Sequence, residues 1–109
     1  MRIELLWWEG CPSTERAREE LAKALAELGL SEAEVRMREV RSDQEAAAIG
    51  FVGSPTILID GLDAVPAATG EPVGLSCRVY RRRDGRISPT PDPEDLRDAL
   101  TRARQELTT

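Results

Sequence analysis

Trp7-Trp8-Glu9-Gly10-Cys11-Pro12-Ser13-Thr14 joins an apolar run to a long amphipathic one. Upstream, Ile3 to Trp8 is short, mostly apolar and bounded by Gly10, which predicts a buried central strand. Downstream, Ser13 to Leu28 places Ala17, Leu21, Ala24, Leu25 and Leu28 at helical spacing, with Arg16, Arg18, Glu19, Glu20, Lys23 and Glu27 on the outer side. Gly29 is placed to end that helix in a left-handed cap. Cys11 therefore falls at a helix start, where unpaired N–H groups and the helix dipole favour a thiolate. Pro12 suits the first helical position, where its missing N–H costs nothing. A free cysteine also ends strands as a small buried apolar residue, and both readings stay open from this stretch. Strand alternation sends Trp7 and Trp8 to opposite faces, one toward a core and the other toward the cysteine's groove.

Further along, Val35 to Val40 alternates and predicts a second strand with one wet face. Ser42 and Glu45 have capping-box spacing, which opens a short helix over Ala46 to Ile49 that Gly50 stops. Phe51-Val52-Gly53-Ser54-Pro55 leads into a β-prone run, Thr56 to Ile59. Residues 62–76 hold Pro66, Gly70, Pro72 and Gly74 without periodicity, as a binding loop, a lid or a mobile segment would. Cys77 to Arg81 alternates and reads as a fourth strand at an edge, with Asp84-Gly85 as a turn. Asp92 is an N-cap, Pro93 the first helical residue, and Leu96, Ala99, Leu100, Ala103 and Leu107 the apolar face of a last helix. The order β-α-β-α-β-β-α predicts a single two-layer α/β domain over residues 1–109, with a four-stranded mixed sheet.

Composition narrows the chemistry. The 109 residues carry a net charge of −5, which argues against nucleic acid as a partner. There is no histidine, so Cys-His and Ser-His pairs and imidazole metal ligands are excluded. Two cysteines 66 positions apart form neither a zinc pattern nor a disulfide framework. No signal peptide or transmembrane run is evident, so a cytoplasmic protein without a membrane partner, metal or cofactor is expected.

The element order, with Leu5 to Pro12 after strand one and Phe51-Val52-Gly53-Ser54-Pro55-Thr56-Ile57-Leu58 before strand three, resembles the thioredoxin-like fold. The resemblance spans nearly the whole chain except residues 62–76. It implies that Cys11 is the nucleophile and that Pro55 forms a cis peptide bond beside it. The backbone of Ser54 is then offered to an extended thiol substrate, and Trp8 and Pro12 flank the site. A cis X-Pro bond costs only about 0.5–1 kcal/mol, so proline can make that turn. A trans proline opening a strand is the alternative.

The chain also departs from the family. Thr14 stands where thioredoxins carry a second cysteine, and Leu5 where they carry a buried acid. A dithiol reductase of the usual kind is therefore not expected. Thr14 is placed either to hydrogen-bond the Cys11 thiolate or to satisfy a backbone group. The expected function is monothiol redox chemistry, with a thiol-containing protein or a low-molecular-weight thiol resolving the mixed disulfide. A non-catalytic binding module with an inert Cys11 is the alternative.

Alternation assigns Cys77 to the apolar side with Val79, hence to burial. In the resembling fold it starts at the opposite end of the sheet, and about five strand residues span roughly 17 Å, so no Cys11–Cys77 bond is expected. Against this, Gly74 to Tyr80 with Pro93 to Leu96 weakly resembles the region around a catalytic cysteine of organomercurial lyases. That likeness implies a soft-metal thiol site if the two cysteines converge. Arg78, Arg81, Arg82, Arg83 and Arg86 read as a solvated basic hairpin or an anion site.

Overall fold

The computed structural model describes residues 1–66 and 71–108, with the side chains of 107 and 108 left out. Strand β1 (Ile3–Trp7) runs through the middle of a four-stranded mixed sheet of order β2-β1-β3-β4. β2 (Val35–Glu39) pairs with it in parallel, Ile3 opposite Val35 and Trp7 opposite Glu39. β3 (Thr56–Ile59) pairs antiparallel on the other side, and β4 (Leu62–Asp63) pairs antiparallel with β3. β1 is buried because both faces are covered, as its near-continuous apolar run requires.

Helices α1 (Thr14–Glu27) and α3 (Pro93–Thr108) lie together on one face. Their Ala17, Leu21, Ala24, Leu25, Leu96, Ala99, Leu100 and Ala103 pack on Ile3, Leu5, Ile57 and Ile59. Leu107, expected on the same stripe, has its side chain outside the described residues. Arg104 of α3 donates to the Leu28 carbonyl at 2.8 Å, satisfying an orphan group at the end of α1. The short α2 (Asp43–Ile49) covers the opposite face, where Ala46 joins Leu6, Val40 and Phe51. The expected two layers are therefore three, because β1 and β3 present apolar side chains to both sides. Ser42 caps α2 as the spacing predicts, its Oγ accepting from the Glu45 N–H at 3.0 Å, and Gly50 (φ 70°) ends it in the left-handed region.

The main correction concerns residues 62–88. The sheet's fourth strand is Leu62–Asp63, within the segment expected to be irregular. Tyr80–Arg81 (β5) instead pairs with Ile87–Ser88 (β6) in a separate two-stranded sheet. Arg83 ties this hairpin to α3, reaching Glu94, Asp95 and Asp98 at 2.8, 2.8 and 2.6 Å. Arg83 is exposed, as the solvated-hairpin reading expects, and its charge is met by these acids and not left for an anion. As for the suggested lid, residues 67–70 lie outside the described residues.

Candidate functional site

Cys11 closes a turn that leaves β1, its N–H donating to the Trp8 carbonyl at 3.0 Å. The Trp8 ring lies directly over Gly10: a Cβ there would sit 2.1 Å from the ring, so any other residue would push the indole aside. Trp8 is half-buried, and its indole N–H has no partner. The helix begins later than the sequence suggests. Ser13 is the N-cap and Thr14 the first helical residue, so Pro12 is exposed and lies outside α1. The Thr14 hydroxyl is buried without a hydrogen-bond partner, so it bonds neither Cys11 nor a backbone group. The half-buried Cys11 thiol is 3.5 Å from the Ser54 carbonyl oxygen instead, to which it donates.

Ser54 is almost fully enclosed, 1% exposed, and the Ser54–Pro55 peptide bond is cis. Its backbone is also paired. The Ser54 N–H donates to the Ser76 carbonyl and the Arg78 N–H donates to the Ser54 carbonyl, each at 2.8 Å. This is a parallel bridge that sets Cys77 opposite Ser54. Both cysteines therefore meet at one residue, and the expectation that Cys77 lies far from Cys11 is overturned. Cys77 is a free, exposed thiol. Its pKa is raised, first by local desolvation, then by the charge of Cys11 and a hydrogen bond with it.

The expected faces of the 77–80 strand are reversed. Cys77 and Val79 point outward, whereas Arg78 and Tyr80 are buried. Arg78, 6% exposed, donates to Asp63 at 2.8 Å, to the Thr56 hydroxyl at 3.1 Å and to the Val65 carbonyl. Its guanidinium lies 4.4 Å from the centre of the Tyr80 ring. The Tyr80 hydroxyl donates to the Pro55 carbonyl, and burial pushes its pKa far up. Burial also raises Asp63, although the adjacent Arg78 pulls it back down. Sequence reasoning missed Asp63 and Gly53 as site residues, and it placed Cys77 inside and Arg78 in a basic hairpin where the structure has Cys77 exposed beside Ser54 and Arg78 buried. The available signal was Tyr80: a lone tyrosine in an alternating strand belongs inside, and that fixes Arg78 inside with it.

What the arrangement can do chemically is bring two thiols within reach of one another beside Ser54, one of them against its carbonyl. Among the described residues no cluster of three or more His, Cys, Asp or Glu is placed to hold a metal ion. None of their helices is long and apolar enough to cross a membrane. No family model, curated protein or solved structure matches the chain.

Proposed function

We propose that the chain is a thioredoxin-like domain that carries out thiol–disulfide exchange, with Cys11 as nucleophile and Cys77 as the thiol that resolves it. The observation that carries this reading is the double use of Ser54, whose carbonyl accepts from the Cys11 thiol while its backbone bridges to Cys77. The sheet order and the turn at Pro55 beside Cys11 support the fold assignment. The monothiol scheme expected from the sequence is thereby extended, because the missing thiol at Thr14 has a counterpart arriving from elsewhere in the chain.

The step balances without a cofactor. The Cys11 thiolate attacks a disulfide RSSR, forming a Cys11–SR bond and releasing RS⁻. Cys77 then gives its proton to water and attacks the Cys11 sulfur, releasing a second RS⁻ and leaving a Cys11–Cys77 disulfide. Two electrons pass from the protein to the disulfide, which becomes two thiols. The raised Cys77 pKa suits the second of the two steps, in which that thiol gives up its proton only as it attacks the mixed disulfide.

Mass spectrometry of the reduced protein after treatment with oxidised glutathione tests the reading. The expected product is two hydrogens lighter than the reduced chain, with Cys11 and Cys77 in one linked peptide. Cys77→Ser should instead stop at the glutathione adduct on Cys11. An unmodified protein would sink the exchange reading and leave a binding module.

The same convergence favours a second reading, a soft-metal thiol protein of the kind the likeness around Cys77 implies. Two thiolates suit a soft, two-coordinate cation such as Hg(II). Stoichiometric titration with loss of both free thiols at one equivalent supports it; loss of neither or only one removes it.

A further inference from the structure

Ser54 has one backbone N–H and one backbone carbonyl, and both are used within the chain. An extended polypeptide adding itself to this turn would need those same two groups, because strand pairing is an exchange of N–H and C=O bonds. Residues 76–78 already hold that position.

Three features build the occupancy into the fold. Gly53 has φ 130°, and a Cβ there would meet backbone atoms of Arg78 at 3.0 Å, so glycine makes the close approach possible. Arg78 anchors the segment from below through Asp63, Thr56 and Val65. Tyr80 fastens its far end to the Pro55 carbonyl. On the Cys77 side of the pair lies a cavity of about 600 Å³ walled also by Val52, Val79 and Glu71, with Cys11 outside its lining. Small-ligand pockets fall in the range of about 300–1,000 Å³.

We infer that residues 76–78 form a built-in extended segment, bridged to Ser54, that reserves the Cys11–Cys77 pair for low-molecular-weight disulfides and thiols and excludes extended polypeptides. The inference rests on the exchange reading and names its substrate class. A small RSSR meets Cys11 without claiming any backbone group of Ser54. Its two sulfurs leave as two thiols in the steps given above. A polypeptide strand must first break two backbone hydrogen bonds and pull a buried arginine from its carboxylate.

Two probes with the same coloured leaving group test this. One is the mixed disulfide of thionitrobenzoate with N-acetylcysteine amide, the other its mixed disulfide with the central cysteine of a short extended peptide. The reduced protein should release colour from the small probe roughly ten- to thirtyfold faster, matching the worth of two backbone hydrogen bonds. Arg78→Met should narrow the gap by accelerating the peptide probe. Equal wild-type rates, both above that of free cysteine, would overturn the inference and leave exchange intact. Rates no greater than free cysteine with either probe would remove the exchange reading itself, and this inference with it. If Arg78→Met does not fold, NMR of the wild type decides. With a Ser-for-Cys peptide added, the Ser54 and Arg78 amide signals should stay in place, and a shift of both overturns the inference.

Discussion

Cys11 and Cys77 meet at Ser54, but the chain brings them there by different means. Cys11 hangs on apolar periodicity: β1 is buried on both faces, and α1 packs Leu21 and Leu25 onto it. Cys77 hangs on a few polar contacts, chiefly Arg78 with Asp63, Thr56 and Val65. Apolar burial is non-directional and spread over many residues, so losing one contact weakens the whole domain. A charge-assisted clamp is directional and local, so its loss should release one segment and leave the sheet behind.

The largest effects come from cutting either support. Leu21→Ala removes a fully buried side chain and should cost about 3 kcal/mol in denaturant unfolding. Arg78→Met leaves the half-buried Asp63 without its counter-ion and the Thr56 hydroxyl and Val65 carbonyl without their donor, and should cost a similar amount, about 3 kcal/mol. The two variants should part in the redox equilibrium with glutathione. Arg78→Met makes the Cys11–Cys77 disulfide markedly easier to reduce, since the thiols lose their enforced proximity. Leu21→Ala leaves that equilibrium near the wild-type value. An unchanged equilibrium in Arg78→Met would show that Cys77 has a support other than the clamp.

This division also explains what could be read from the sequence. Helices α1 and α3 follow a repeat set by burial, and the residues that carry them are visible as Leu and Ala at fixed intervals. The caps at Ser42 and Gly50 follow from local hydrogen bonding, so they too are legible. Cys11 could be placed because it directly follows such an element. Arg78 could not, because a buried arginine looks like a surface one until its partners are known. Those partners are Asp63, 15 positions upstream, and Thr56, 22 upstream. Tertiary pairing of that kind leaves no period, and it reversed the expected faces of Cys77 and Val79. The β4 strand was missed for a related reason: two residues are too few to alternate.

Gly53→Ala sharpens the comparison with a smaller change. The added methyl meets Arg78 backbone atoms at 3.0 Å, and φ 130° suits no side chain. Overpacking of this order costs roughly 1–3 kcal/mol. The strain falls between the turn and the 76–78 segment, so hydrogen exchange should quicken at the Ser54 and Arg78 amides and stay slow in β1. Equal loosening of β1 would mean that the two supports are one cooperative unit.

The smallest effect is read at Cys77 itself. Its pKa is raised first by desolvation and then by Cys11, so its alkylation midpoint should lie above the ordinary thiol value of about 8.5. Cys11→Ser removes the charge of Cys11 and leaves the desolvation, so the midpoint should fall part of the way. The folded chain holds this proton to higher pH than the unfolded chain does. Stability from that difference is present below the ordinary thiol pKa and is lost as pH rises through the raised value. Alkaline unfolding of the reduced protein should therefore be less steep in pH for Cys77→Ser than for the wild type. A Cys77 midpoint that ignores the Cys11→Ser change would mean the two thiols do not sense each other, and Ser54 would then join two backbones without joining two sulfurs.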